Sequence, residues 1–403
     1  MKKFRFAGIP VLALALATSF YSCRKSTETT PELTNYDVAI DLMGLTTLPE
    51  AIDPVDNATS AEKVALGKLL FWDPIIGGEK DMACAGCHHP DFGYSDGRAL
   101  PIGVNGTGLG PDRIANNGGL DLANGPIELV PRNAPTVINA AYNGFVNAAT
   151  FDASNSPHFW DGRSNSFEEQ SSGPPGSRSE MRGDAYSNEA TFDSIVARLK
   201  AIPEYVTLFD DVFGGGIDAV TETNFNKAVS AFERSIIAIN SPYDKYLAGD
   251  RSAMTEQEKH GLILFHNQGN CAECHKGPAF NDGDFHALGA KLNPESPNSM
   301  NGNVDMGKDD EFKFKTPTLR NIELTGPYTH AGMYSTLEEI VEFMSGGVSE
   351  DSNVLVSELT PTNLSAQDKA DIVAFLKALT DNDFDKTIPE SVPSGLPVGG
   401  SIN

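Results

Sequence analysis

The chain has 403 residues, 40% of them hydrophobic and 21% charged, with a formal net charge of −25 at pH 7. This length favours two domains, and the composition excludes a disordered chain or a protein with many membrane spans. The negative charge argues against a nucleic-acid ligand, whose phosphates it would repel, and is explained either by a basic protein partner or by solubility alone.

The N-terminus has the pattern of a bacterial export signal. Positive charges in residues 2–5 precede an apolar stretch at 6–20 that is too short to span a bilayer. Cys23 follows, and residues 24–33 are rich in Ser, Thr, Glu and Pro. Residues 1–22 are therefore either a lipoprotein signal, with Cys23 lipidated and 23–45 as a flexible tether, or an ordinary signal whose cleavage removes Cys23. Both predict a periplasmic or cell-envelope location, and the first predicts a membrane-anchored chain.

The other four cysteines form two pairs, each followed at once by a histidine: C-A-G-C-H at residues 84–88 and C-A-E-C-H at 271–275. This is the attachment pattern of c-type haem, in which two thiols add to one porphyrin and the adjacent histidine ligates the iron. A redox C-x-x-C pair does not need the histidine, and a four-cysteine zinc site would not need two of them. We therefore predict two covalently bound haems c, held by Cys84, Cys87 and His88 and by Cys271, Cys274 and His275.

Apolar residues at helical spacing predict helices at residues 61–71, 191–200, 224–239, 255–265, 337–344 and 365–379, with Ser60 capping the first. The Gly, Pro and Asn-rich run at 93–131 predicts a long loop, and residues 388–403 a mobile tail. Strand signals are sparse, and each haem motif follows a helix and a short loop. We expect an all-α fold of two cytochrome c-like haem domains with long loops, at residues 46–240 and 241–387.

Residues 61–379 resemble the bacterial di-haem cytochrome c peroxidases, in the broader group that includes the methylamine dehydrogenase maturation enzymes. The resemblance implies that the N-terminal haem is peroxidatic and that the C-terminal haem receives electrons and passes them on. Its landmarks are residues 131–136 (PRNAPT), 159–163 (FWDGR), 316–321 (TPTLRN), 325–330 (TGPYTH) and 336–339 (TLEE), with Gln170, Glu180 and Met181.

The resemblance assigns catalytic roles to three residues. Gln170 and Glu180 match the polar residues of the distal pocket, where a carboxylate can move a proton from one peroxide oxygen to the other. Without the resemblance, Glu180 would be interpreted as a solvated loop residue. Trp160 matches the aromatic residue between the haems, a position suited to relaying electrons, and it can equally be a core residue.

Further residues match metal ligands. Met344 matches the distal ligand of the second iron, and a Met/His pair raises the reduction potential; the alternative is a core methionine on an amphipathic helix. The maturation enzymes carry tyrosine at this position. The Asn133 side chain and the carbonyls of Thr325 and Pro327 match the protein ligands of a calcium ion. Lys315 and Arg320 are candidates for pairing with haem propionates or for surface roles.

One position departs from the family pattern. Many of these peroxidases hold a second histidine on the peroxidatic iron at rest, and the alignment places Val104 there. Valine cannot ligate iron, so we expect an open distal position even in the fully oxidised protein. His158 and His89 are the nearby alternatives.

The resulting prediction is a cytochrome-c peroxidase that reduces hydrogen peroxide with electrons from a small cytochrome or cupredoxin. Two alternatives remain: a peroxide-dependent oxidase of a partner protein, as the maturation enzymes are, and a non-catalytic electron carrier. Met344 disfavours the first of these, and the pair Gln170 and Glu180 disfavours the second. Family members are often dimers, so a homodimer is a further expectation by analogy.

Overall fold

The computed structural model describes residues 33–116, 127–299, 303–354 and 357–402, and the chain from Leu33 onward forms one compact unit. Helices and short 3-10 turns carry most of its regular structure. Two small antiparallel sheets complete it, β1 (Gly106–Thr107) with β2 (Ile114–Ala115) and β3 (Phe285–His286) with β4 (Phe314–Lys315). The helix-rich class is confirmed, and the division into two haem domains stays a prediction.

The six predicted helices are present, with shifted ends, as α2, α5, α7, α9, α10 and α11. None of the helices in the described ranges is long and apolar enough to cross a bilayer. In chain order the helices are α1 (Asn35–Asp41), α2 (Ala61–Trp72), α3 (Phe167–Gln170), α4 (Gly173–Gly176), α5 (Thr191–Lys200), α6 (Pro203–Phe213), α7 (Glu222–Ser235), α8 (Pro242–Leu247), α9 (Glu256–His266), α10 (Leu337–Gly346) and α11 (Ala366–Lys377).

Side-chain caps determine where several helices begin. The Ser60 hydroxyl accepts a hydrogen bond from the backbone N–H of Lys63 at the start of α2, as predicted. Thr255, Thr336 and Ser365 begin α9, α10 and α11 with capping boxes, in which an acidic residue three positions on bonds back to the cap.

The same kind of close helix crossing occurs twice, once beside each haem motif. We call α2 to α7 with the 84–88 motif the first module, and α9 to α11 with the 271–275 motif the second. A Cβ atom on Gly67 of α2 would lie 1.9 Å from the carbonyl oxygen of Ala228 on α7. A Cβ atom on Gly261 of α9 would lie 1.9 Å from that of Asp371 on α11. Only glycine permits backbones this close. The repeated crossing supports the predicted relation between the two modules.

Three clusters of buried apolar residues form the core. One joins α9, α10 and α11 through Phe265, Ile340 and Phe375, and Cys271 packs against it. The other two consist mainly of first-module residues, joined in one of them by Ala279, Phe384 and Val392 from later in the chain, and Cys84 packs against both. Each haem motif is therefore anchored on the core of its own module.

The predicted tether at residues 23–45 is wrong in its second half. Thr34 caps α1, and Ile40 in this helix is buried in the core cluster of α9, α10 and α11. Asp37 accepts a hydrogen bond from the Tyr246 hydroxyl at 2.8 Å and pairs with Lys259 at 3.0 Å. These contacts come from residues about 200 positions later in the chain, so local composition cannot indicate them. Residues 1–32, with the predicted signal and Cys23, lie outside the described residues.

The predicted mobile tail at residues 388–403 is also wrong for most of its length. Val392 is buried, and the Ser394 hydroxyl donates to Asp73 at 2.6 Å. Backbone hydrogen bonds join Gly399 to Trp72 and Ser401 to Asp81 at 2.7 and 2.8 Å. This Gly, Pro and Ser-rich segment therefore packs along the first module, where hydrogen bonds hold it in place.

Candidate haem site

Each C-x-x-C-H motif forms a 3-10 turn that brings two thiols and one imidazole together. The turns are Cys84–Gly86 and Cys271–Glu273. In each, the backbone N–H of the histidine donates to the carbonyl oxygen of the first cysteine at 3.0 Å. The four thiols are half-buried and form no disulfides with one another. The two modules therefore present the same set of chemical groups.

Both motif histidines are fixed through Nδ1. His88 Nδ1 lies 3.0 Å from the carbonyl oxygen of Tyr94, and His275 Nδ1 lies 2.8 Å from that of Phe280. A carbonyl oxygen only accepts, so Nδ1 carries the proton and Nε2 keeps its lone pair. Burial lowers the pKa of both imidazoles and keeps them neutral. This is the form in which histidine ligates iron.

One cavity of about 910 Å³ is lined by both motifs. A porphyrin needs an apolar enclosure, two thiols for its vinyl groups and a nitrogen ligand for its iron. The cavity offers these twice, so the residues present fit two covalently attached haems. The apolar part of its wall includes Val137, Ala140, Val229, Phe265, Leu288, Ile340, Val341, Ile372 and Leu376.

Gln170 and Glu180 both lie on the wall of this cavity. Gln170 is the last residue of α3, and Glu180 lies in a π-helical turn, Arg178–Arg182. Burial raises the pKa of Glu180, and the nearby charge of Arg163 opposes that rise only in part. A carboxyl group with a raised pKa is a stronger base than an ordinary glutamate, and its protonated form can in turn donate a proton.

Glu180 also borders a second, polar cavity of about 540 Å³. Pro131, Arg163 and Glu180 line both cavities, which places Glu180 between them. The other residues that line the second cavity are Gly173, Gly176, Ser177, Ser179, Arg182 and Asn188.

Trp160 lies half-buried on the wall of the haem cavity and is held at two points. Its indole Nε1 donates to the carbonyl oxygen of Asn133 at 2.9 Å. Its own carbonyl oxygen accepts from the backbone N–H of Lys315 at 2.7 Å. Asn133, before the second haem motif, therefore holds the indole, and Lys315, after that motif, holds the main chain of Trp160.

Met344 lies on α10 and lines the same cavity as His275. It is half-buried and also packs against the core cluster of the second module. This position fits an iron ligand and a core methionine equally, so its ligand role stays a prediction.

The three residues predicted to hold calcium lie on the wall of the haem cavity: Asn133, Thr325 and Pro327. The Asn133 side chain donates through Nδ2 to the carbonyl oxygen of Arg98 at 2.8 Å, which leaves Oδ1 as its acceptor atom. An oxygen acceptor at this place is compatible with a hard cation. The calcium site stays a prediction.

The two residues considered for haem propionates behave differently. Lys315 lines the cavity, and burial lowers the pKa of its ammonium group to about 8. Arg320 is fully buried and forms a two-point ion pair with Asp244, at 2.9 and 3.0 Å. Its Nε donates to the carbonyl oxygen of Pro278. The Arg320 prediction is wrong, because its guanidinium is committed to a buried carboxylate.

The residues discussed as sixth ligands of the first iron lie in three different places. Val104 is buried, does not line the cavity, and donates its backbone N–H to the carbonyl oxygen of Glu180 at 3.1 Å. His89 lies against the ring of Trp72, and its Nδ1 accepts from the N–H of Asp91, away from the cavity.

His158 does line the cavity, where its ring lies 4.4 Å from that of Phe167. Burial lowers its pKa to about 3, so it is a neutral imidazole. His330 is a further neutral histidine on the cavity wall, stacked on Phe314 at 3.5 Å, that sequence reasoning did not consider.

Sequence reasoning missed a buried acidic residue that the first module places on the cavity wall. Glu233 lies on α7, inside the apolar stripe that predicted this helix, and it is buried on the cavity wall. Burial raises the pKa of its carboxyl group to about 8. Aligning α7 of the first module with α11 of the second would have marked this position, since α11 carries leucine there.

Comparison with known proteins agrees with this site. A family model described as di-haem cytochrome c peroxidase matches residues 61–252. The cytochrome-c peroxidase IdrP1 of Pseudomonas sp. (strain SCT) is 31% identical over 83% of this chain and 85% of its own. The methylamine utilization protein MauG of Methylorubrum extorquens is 30% identical over 95% and 98% of the two chains.

Solved structures show the same fold. A MauG-like protein associated with microbial copper homeostasis superposes with a TM-score of 0.64 at 28% identity, over 83% of this chain and 95% of that chain. The two curated relatives align over more than four fifths of both chains, so the similarity extends well beyond the haem motifs. The chain therefore belongs to the di-haem cytochrome c peroxidase family.

Proposed function

We propose that this protein reduces hydrogen peroxide to water at a haem held by His88, with electrons that enter through a haem held by His275 and Met344. The observation that carries the proposal is Glu180, a carboxyl group of raised pKa on the wall of the cavity that contains the first haem motif. Gln170 on the same wall supports it. The net reaction consumes one peroxide, two protons and two electrons and yields two waters.

Bound haem supplies an iron that binds peroxide and exchanges electrons. The chain's own residues handle the protons. The Glu180 carboxylate would take a proton from one peroxide oxygen and return it to the other, which then leaves as water. The Gln170 amide donates a hydrogen bond that orients the peroxide. The hydrogen bond from His88 Nδ1 to Tyr94 fixes the imidazole plane and strengthens its Nε2 as a ligand.

Electron passage between the modules is assigned to Trp160. Its indole lies on the cavity wall shared by both haem motifs; one hydrogen bond holds the indole N–H and a second holds the main chain of the same residue. A fixed aromatic ring suits electron relay, because no rearrangement is then needed when an electron passes. We also propose a calcium ion at Asn133, Thr325 and Pro327, which would join the segments before and after the second haem motif.

We propose that the first haem has an open distal position at rest. Val104 is buried away from the cavity, where its backbone N–H donates to the carbonyl oxygen of Glu180, and the His89 ring packs against Trp72. Of the two histidines considered, His158 alone lines the cavity. An open position would let peroxide bind without prior reduction of the second haem.

The net charge of −25 supports a small basic cytochrome or a cupredoxin as electron donor, since opposite charge steers association. Export by residues 1–22 would place both proteins in the periplasm or cell envelope, with lipidated Cys23 as an anchor. A homodimer remains a proposal by analogy with the family.

The similarity to MauG favours one alternative, a peroxide-dependent oxidase that acts on a partner protein. Steady-state assays with a reduced small cytochrome as the sole donor distinguish the two. The peroxidase should sustain many turnovers, oxidising two cytochromes per peroxide. An oxidase specialised for a partner protein would stop after the electrons stored in its own haems are consumed, and that result would overturn the proposal.

A further inference from the structure

Glu233 is a further carboxyl group of the first module on the cavity wall, and it has no role in the mechanism above. It is 6% exposed, it lines the haem cavity, and its Oε2 has no hydrogen-bond partner among the described residues. Val229, one helical turn earlier on α7, lines the same wall. An unpaired carboxyl oxygen at a buried site is costly unless the group is neutral or faces a ligand.

The internal repeat shows what is unusual about this position. Gly67 contacts Ala228 and Phe232 in the first module, and Gly261 contacts Asp371 and Phe375 in the second. Ala228 is therefore equivalent to Asp371, and Phe232 to Phe375. In the same register Glu233 of the first module corresponds to Leu376 of the second. Both side chains line the haem cavity. At this position on the cavity wall the first module therefore carries an ionisable group and the second a leucine.

The neighbouring charges do not neutralise Glu233. Arg234 is next to it in sequence, but its Nη2 lies 2.8 Å from Oε1 of Glu168 on α3. Burial raises the pKa of Glu233 to about 8; Arg234 opposes this rise, and Glu168 adds to it. The nearest thiol is Cys84 of the first haem motif, whose pKa the Glu233 charge helps to raise. On the helices packed against α7, Lys63 is bound to Asn57 and Lys68 to Asp385, and Glu62 and Glu169 are the remaining carboxyl groups. Asp53 lies near Arg234, and the Tyr142 hydroxyl donates to Pro49.

We propose that Glu233 is the proton-accepting group of the first haem, which takes up a proton when an electron enters that haem and releases it when the haem is oxidised again. Ferric haem carries one more positive charge than ferrous haem, and this charge favours the carboxylate. On reduction, the ferric haem would take one electron from the reductant and become ferrous. The Glu233 carboxylate would take one proton from the solvent and become the neutral carboxylic acid. No bond to the haem forms or breaks.

This inference rests on the proposed function only in placing a haem at His88, and it needs no peroxide turnover. The experiment is a spectroelectrochemical titration of the holoprotein from about pH 6 to about pH 9, the range around a carboxyl pKa raised to this degree. The midpoint potential of the first haem should fall as pH rises, with an acid dissociation constant at least about tenfold larger in the ferric state.

Four variants make the titration specific. E233Q, which keeps the shape of the side chain, should abolish the pH dependence of the first haem over this range. L376E should create such a dependence at the second haem. E222Q removes an exposed carboxyl group from the same helix and should change neither haem. In E180Q the dependence should persist, because Glu180 is a separate group.

The proposal is overturned if E233Q keeps the wild-type slope, or if E180Q alone removes it. Should E233Q fold poorly, an infrared difference spectrum of the wild type, reduced minus oxidised, gives the answer without a variant. A gain of protonated carboxyl absorption on reduction supports the proposal, and its absence overturns it. A protein that titrates in this way yet fails to turn over peroxide would refute the proposed function alone.

Discussion

Replacing Glu180 with glutamine is expected to slow the reaction with hydrogen peroxide by about 10²–10⁴-fold, the usual contribution of a positioned general acid–base. Glutamine keeps the size and the hydrogen bonding of the side chain but cannot carry a proton between the two peroxide oxygens. Stopped-flow absorbance of the haem bands after mixing with peroxide measures this rate directly.

The matched control is E189Q. Glu189 is exposed and lines neither the haem cavity nor the polar cavity beside Glu180. This variant should react at the wild-type rate. If E180Q reacts within about threefold of the wild type, well below the usual contribution of a general base, Glu180 is not the proton carrier.

The pH dependence of the same reaction follows from the raised pKa of Glu180. The carboxylate must be ionised to take the first proton, so the rate should rise as pH rises through the pKa. Burial raises that pKa, so the rise should lie above about pH 4.3, where an ordinary glutamate titrates. E180Q should lack this rise, and an identical pH profile in both proteins would contradict the assignment.

Replacing Met344 with histidine is expected to lower the reduction potential of the second haem and to impair electron entry from a high-potential donor. Thioether ligation favours ferrous iron, and a Met/His pair accordingly has a higher potential than a pair of histidines. Each drop of about 59 mV shifts a one-electron equilibrium tenfold against the acceptor. Steady-state turnover with a cytochrome donor should fall by about tenfold or more.

Redox titration and the spectrum of the second haem separate this from simple damage. M306H alters an exposed methionine that does not line the cavity and should change neither. The first haem of M344H should still react with peroxide in a single turnover. A second haem with unaltered spectrum and potential in M344H would make Met344 a core residue and no ligand.

Local patterns in the sequence predicted the parts of the structure that depend on neighbouring residues. The C-x-x-C-H turns, the Ser60 cap and the apolar stripe of α7 are such features, because each is decided within a few residues. The resemblance assigns Gln170 and Glu180 to the distal pocket, and both residues line the cavity. Local periodicity alone gave no such indication for Glu180, which lies in an irregular turn.

The errors concern contacts between distant parts of the chain. The end of the predicted tether packs on α9 through Asp37 and Lys259, and the predicted tail hydrogen-bonds to Asp73 and Trp72. Composition predicted mobility for both segments because it does not include such partners. Glu233 was missed because a single acid within an apolar stripe has no distinct local signal.

The proposed open distal position of the His88 haem would let peroxide react before the second haem is reduced. Electron paramagnetic resonance tests this proposal most directly. The air-oxidised holoprotein should show one high-spin and one low-spin ferric signal, and one equivalent of peroxide should react at once. Two low-spin signals, with no reaction until the protein is partly reduced, would contradict the claim and make His158 the first candidate for the closing ligand.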